Sequence, residues 1–161
     1  MPSYFRPTRN VELSTLYYIE TNLNADWPGI TTLKTFADVY AKDVNLPIVC
    51  VRLDDTATTL VEVGSTTLDN RYLIIVDLFC RSDGQRLDLA DYLKDKLRLG
   101  WIHYDHSHVS GDNTSLSRIA NGRDSVTEWV TDSKINIGET VDTKDKFRHN
   151  ISVRVKFTNA S

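Results

Sequence analysis

The chain is poor in the residues that mark specialised classes. Only two cysteines, Cys50 and Cys80, occur in 161 residues. Each sits inside an apolar run and neither belongs to a C-x-x-C arrangement, so a disulfide framework or a cysteine-built zinc site is excluded. Two buried free thiols are predicted; the alternative, a disulfide between neighbouring strands, would be unusual in a reducing compartment. The seven glycines are scattered, and the nearest thing to a phosphate-cradling loop, GSTTLDNR, lacks the lysine and spacing of a P-loop. Cationic excess is missing too: 19 Lys and Arg face 22 Asp and Glu, for a net charge of -3. Such a chain has no electropositive field with which to collect phosphates, which argues against a sequence-reading nucleic-acid binder. No stretch approaches the ~18 apolar residues of a membrane span, and the opening MPSYFRPTRN has no signal-peptide core. The expectation is a soluble protein made in the cytoplasm.

What is present is ordinary for a folded domain: 40% hydrophobic and 25% charged residues, with no repeat and no low-complexity tract. The length suits a single domain over residues 1–161. VELSTLYYIETNL, residues 11–23, carries Leu16, Ile19 and Leu23 at helical spacing, with Asn10 as its candidate cap. Pro28 and Gly29 then break the chain, and TLKTFADVYAKDV is either a shorter helix or an extended arm. LPIVCVRLDD predicts a strand with Val49, Val51 and Leu53 on one face and Ile48, Cys50 and Arg52 on the other. TTLVEVGSTTL reads as a second strand. RYLIIVDLFC, the most apolar stretch, reads as a third with both faces covered.

RSDGQRLDLADYLKDKLRLG predicts a helix capped by Ser82 or Asp83 and stopped by Gly100, with Leu87, Ala90, Leu93 and Leu97 on its apolar stripe. WIHYDH follows as a strand, and a long polar loop is expected near residues 107–124. Strand character returns at Val126 to Val130, and ETVDTKDK reads as another polar break. In the closing HNISVRVKFTN, Ile151, Val153, Val155 and Phe157 alternate with Ser152, Arg154, Lys156 and Thr158. That alternation predicts one core face and one wet or interface face. Helix, three strands, helix, three strands implies an α+β fold: a mostly antiparallel sheet with two main helices packed on one side.

The conspicuous chemical feature is WIHYDHSH, which holds three of the four histidines. His103, Asp105, His106 and His108 are the candidate metal ligands, since catalytic zinc takes three protein ligands and a water. On a strand, however, His103 and Asp105 project to one side and His106 and His108 to the other, and the only other histidine is His149. A strand end running into a loop is the expected reading; a metal-dependent hydrolase is the alternative. No G-x-S-x-G elbow exists, and neither cysteine lies in an electropositive exposed context. Asp54, Asp55, Glu62 and Asp77 lie on neighbouring strands, but the E-x-K partner of a common nuclease core is missing because Val63 and Gly64 follow Glu62. No catalytic residue, cofactor or metal is therefore expected. Asp77 is anomalous inside so apolar a strand and must pair with an arginine, within the chain or across a subunit boundary.

An apolar strand running into a capped helix, YLIIVDLFCRSDGQRLDLADYLKDKLRLG, and then into a further strand resembles the centre of the tail terminator family of long-tailed bacteriophages. The flanks resemble it too: an opening helix, a β-meander, and an alternating C-terminal strand. By order of elements the likeness covers nearly the whole chain; it departs around Asp26 to Asp43 and in the loop from Ser107 to Asp124. The resemblance implies a non-enzymatic virion protein of a siphophage with a non-contractile tail. A homo-oligomeric ring, hexameric in that family, would cap the head-proximal end of the tail tube, stop polymerisation of the tube protein, and dock the head connector or head-completion protein. DNA would only pass through its lumen, and no membrane is involved. Asp77, Phe79, Arg154 and Lys156 are the candidate subunit or partner contacts, with Asp112, Asp124 and Asp132 offering the opposite charge, and the histidines could make assembly sensitive near pH 6.5. Another tail or neck component, a tube subunit or head-completion protein, is the alternative of the same class.

Overall fold

The unit at the middle of the chain, an apolar strand delivered into a capped helix, organises the rest. The computed structural model describes residues 6–34, 38–39, 44–64, 66–108, 116–135, 144 and 146–159. Its elements are α1 (Pro7–Asp26), β1 (Thr31–Leu33), β2 (Ile48–Leu60), β3 (Leu68–Cys80), α2 (Asp83–Arg98), β4 (Trp101–His108), β5 (Leu116–Ile135) and β6 (Phe147–Thr158). They form a six-stranded sheet in the order β1-β2-β3-β6-β5-β4, antiparallel throughout except where β1 runs parallel to β2. The expected α+β class with a mostly antiparallel sheet and two main helices is what the chain adopts.

Alternation along the strands decides which side is core. Val49 and Val51 of β2, Ile74, Val76 and Leu78 of β3, and Ile151, Val153 and Val155 of β6 all project to one face. There they meet Val11, Ile19 and Leu23 of α1 and Leu89, Ala90, Leu93 and Leu97 of α2. Each such leucine contributes roughly 1.5–3 kcal/mol by leaving water. Beneath the other face a smaller cluster of Leu33, Val39, Ile48, Cys50 and Phe79 covers one end of the sheet. Cys50 and Cys80 are both buried and free, one in each cluster.

Helix α2 is capped by Ser82, whose Oγ accepts from the Gln85 amide, while the Gln85 side chain accepts from the Arg81 amide. Gly100 ends it with φ +70°, a backbone region that disfavours a Cβ. Its buried stripe differs from expectation by one residue: Leu89 is inside and Leu87 is half exposed. The start of α1 also differs, because Pro7 sets the first turn and Asn10 lies within the helix. Asn10 and Ser14, one turn apart, instead tie α1 to the edge of the sheet. The Asn10 Oδ1 accepts from the His106 amide at 3.0 Å and the Ser14 Oγ from the Tyr104 amide at 2.9 Å. Edge strand β4 thus has two of its amides satisfied by a helix, which blocks further strand pairing there.

Two readings need correction. The two strands expected at 46–55 and 58–68 are one thirteen-residue strand, β2, followed by a turn at 61–64. The polar loop expected near 107–124 is largely sheet: Ser107 and His108 end β4, and Leu116 to Asp124 begin the twenty-residue β5. Polar residues hold strand geometry there because pairing with β4 satisfies their backbone and most of the side chains face outward. Asn121 and Gly122 form a bulge opposite His103, with Gly122 at φ +81°. Residues 109–115 lie outside the described residues, as do most of the helix or arm expected at 32–44 and of the polar break at 138–147, although Thr31 to Leu33 form β1 and Asp38 and Val39 are helical.

Candidate functional site

Both helices pack on one face of the sheet, so the reverse face of its centre carries the candidate contact residues. Register places them in rows across β2, β3, β6 and β5. Asp55, Leu73, Arg154 and Glu128 form one row, Arg52, Ile75, Ser152 and Thr131 the next, and Cys50, Asp77, Asn150 and Ser133 the third. Arg154 and Lys156 do lie on this face, half-buried, in loose ion pairs with Glu128 at 3.7 Å and Asp69 at 3.5 Å. Partly solvated pairs of this kind contribute little to stability. Arg52 Nε, Arg71 Nη1 and Arg154 Nη1 are shielded from water and have no hydrogen-bond partner among the described residues. The result is a mixed-charge surface.

Asp77 and Phe79, expected at a subunit or partner contact, are enclosed within the chain, fully buried. Asp77 Oδ1 accepts from Arg148 Nη2 at 3.1 Å and from Asn150 Nδ2 at 2.9 Å, while Arg52 approaches its other oxygen at 3.8 Å. The arginine partner demanded by burial is therefore intramolecular. Phe79 packs in the smaller cluster under the Arg148 guanidinium, 5.3 Å from the ring centroid. Arg148 and Asn150 escaped the sequence reading, though they extend the alternation of β6 toward its start and register sets Asn150 directly beside Asp77.

The histidine stretch is a strand edge built into the core, not a pocket of converging ligands. His103 is buried, stacked on Phe157 with centroids 3.8 Å apart, and its Nδ1 donates to both oxygens of Asp124 at 3.0 and 3.1 Å. Asp124 is itself fully buried; burial pushes its carboxyl up, with the His103 contact opposing that. Asp105 lies 3.7 Å from His103 and accepts a hydrogen bond from Asn121. His106 turns into a separate site lined by Leu13, Leu16, Tyr17, Glu20 and Arg118, where burial, aided by the Arg118 guanidinium, pushes its imidazole down to about 4. His108, at the end of β4, is half-buried. Among the described residues no group of three His, Cys, Asp or Glu side chains is placed to hold a metal ion. The expectation that these histidines face a partner is corrected for His103 and His106, which are buried, and His106, held down to about 4, does not titrate near pH 6.5.

His149 joins a different network between α2 and the sheet. Arg86 Nη1 donates to its Nδ1 at 2.6 Å, so the proton sits on Nε2 and is donated to Asp132 at 2.6 Å. Lys94 closes the chain on the other Asp132 oxygen at 2.9 Å. Burial raises the Asp132 carboxyl, but His149 and Lys94 together outweigh it and hold the group below its ordinary value. Asp124 and Asp132 are thus spent within the subunit and do not supply free charge to a neighbour; Asp112 lies outside the described residues. The carboxylates considered for a nuclease are dispersed: Asp54 pairs with Arg52, Asp55 accepts from the Thr56 amide, and Glu62 stands exposed in a turn.

No protein-family model matches the chain, and no curated protein matches it significantly. Among the described residues no helix is long and apolar enough to cross a membrane.

Proposed function

We propose that the chain is a structural assembly protein, the tail terminator of a long-tailed phage with a non-contractile tail. Six copies form a ring on the head-proximal end of the tail tube, end its polymerisation and present the surface on which the head connector docks. The observation that carries this reading is the placement of the central unit. Apolar β3 enters capped α2, which returns through β4, while the C-terminal strand β6 inserts between β3 and β5 and turns a mixed-charge face away from both helices.

A ring closed by rotation uses two unlike surfaces on each subunit. The open sheet face with Arg52, Arg154 and Lys156 supplies one polar candidate. Several of the ionisable side chains that could have carried chemistry are held in structural pairs instead: His103 with Asp124, His149 with Asp132, and Asp77 with Arg148, while His106 is buried. In this reading the protein acts in the virion tail, catalyses nothing, and meets DNA only in passage through the lumen.

Light scattering and negative-stain imaging of the purified protein, alone and with tail tubes, test it. The expected result is a ring-sized cap at one tube end and no extended polymer from the protein alone. Long tubes formed by the protein alone would make it a tube subunit, binding to heads without tails would make it a head-completion protein, and no binding to either would remove the reading.

A further inference from the structure

Two apolar features remain unexplained by the fold, and they match one another. The first is the tip of the β2–β3 hairpin. Leu60, Val61 and Leu68 are each more than half exposed and Val63 is completely exposed. At its base the Val61 amide donates to the Thr67 carbonyl at 3.1 Å, and Gly64 takes φ +84°. Turns ordinarily carry small polar residues, and a cluster of exposed branched aliphatics at a hairpin end marks a contact site.

The second is a cavity of about 490 Å³ between α1, β4 and the C-terminal end of α2. Tyr17, Tyr18, Trp101, Ile102 and Tyr104 wall it, and Arg123 is the one charged residue in its lining. Its walls are preformed. Tyr18 stacks on Trp101 at 5.5 Å, Tyr17 meets Tyr104 edge-on at 5.6 Å, and the Tyr18 hydroxyl donates to the Lys96 carbonyl at 2.8 Å. Rigid aromatic pockets of this kind are where interface anchors seat.

We propose that the hairpin tip of one copy seats in the aromatic pocket of the next copy, Val61 and Val63 against the rings and Glu62 against Arg123. The occupant is a second copy because the chemistry matches in both terms. The tip is aliphatic with a single charge, Glu62, and the pocket is aromatic with a single charge of opposite sign. The Arg123 guanidinium donates to the neutral Leu99 carbonyl at 3.1 Å, which leaves its charge uncompensated by that bond. The two features share no residue and stand on opposite sides of the strand order, β2–β3 against β4, with β6 and β5 between. A contact between unlike patches leaves each bound pair with one free tip and one free pocket, so it propagates until a ring closes. This deepens the ring reading and rests on it.

Sedimentation velocity on Val63→Asp, Ile102→Asp and the wild type tests the contact. Val63 and Ile102 are both substantially exposed, so neither change should disturb folding, which an unchanged melting temperature verifies. Each variant alone should associate at least tenfold more weakly than the wild type. Mixed together they should form a one-to-one dimer and nothing larger, because only one intact tip and one intact pocket can meet. Glu62→Arg and Arg123→Glu should each weaken association and the double variant should restore it. A wild type that forms rings while both single variants do so equally well would overturn this contact and leave the ring reading standing. Open chains without rings would keep the contact and overturn the ring, and a wild type monomeric both alone and with tail tubes would overturn both.

Discussion

Replacing Asp77 with alanine removes the carboxylate on which Arg148 and Asn150 converge beneath the sheet. Asp77 is fully buried and accepts two hydrogen bonds, from Arg148 and Asn150, with Arg52 at 3.8 Å as a weaker third contact. Hydrogen bonds to a charged group are worth about 1.5–3 kcal/mol each, and stranding the partner of a buried pair costs about 3–5 kcal/mol. Arg148 keeps 18% side-chain exposure and Arg52 keeps 35%, so water recovers part of the loss. The expected destabilisation is about 3 kcal/mol at the low end of that range, or a fall of roughly 6–12 °C in Tm for a chain of this size. Urea denaturation of Asp77→Ala, Arg148→Met and the double variant supplies the test. Methionine keeps the apolar cover over Phe79, so the double variant should be less destabilised than the sum of the singles by more than 1 kcal/mol. An Asp77→Ala loss below about 1 kcal/mol, or strict additivity, would refute the claim that the pair is an intramolecular keystone of this face.

Three further outcomes follow from the same geometry. His106, held down to about 4 by burial, takes up its proton later than the unfolded chain does as pH falls. The unfolded state therefore gains protons first, and stability should drop by up to about 3 kcal/mol between pH 6.5 and 4, a slope that His106→Leu should flatten in urea titrations at several pH values. Ser14→Ala removes the acceptor for the Tyr104 amide on an edge strand, which should cost about 1–2 kcal/mol and speed hydrogen exchange at that amide while leaving β3 amides unchanged. Cys50 and Cys80, pushed up by burial to about 11 and about 12, should resist thiol reagents in the folded protein and react together once it is unfolded.

Elements with a clean hydrophobic period were legible in the sequence. β6 announced its core and open faces through strict alternation, and α2 announced its start and stop through Ser82 and Gly100. The second half of β5 was legible at Val126 to Val130, but its first half was not, because Leu116 to Asp124 is polar and contains glycine, and only pairing with β4 makes it sheet. Asn10 misled for a related reason: a capping residue type in the first turn of a helix was serving a strand edge 96 residues away. Burial of an isolated carboxylate correctly demanded an arginine for Asp77, but only register could show that Arg148 and Asn150 of the same chain supply the hydrogen bonds. The histidine run looked like chemistry because its residues are close in sequence. In the fold they disperse, His103 toward Asp124 and His106 toward Leu13 and Leu16.

The central claim, a capping ring built from this chain, meets its most direct test in cryo-electron microscopy of tail tubes incubated with the purified protein. Six copies closed around the lumen at one end of each tube, with tube growth halted there, is the predicted result. Tubes that keep growing with no density added at either end would contradict it.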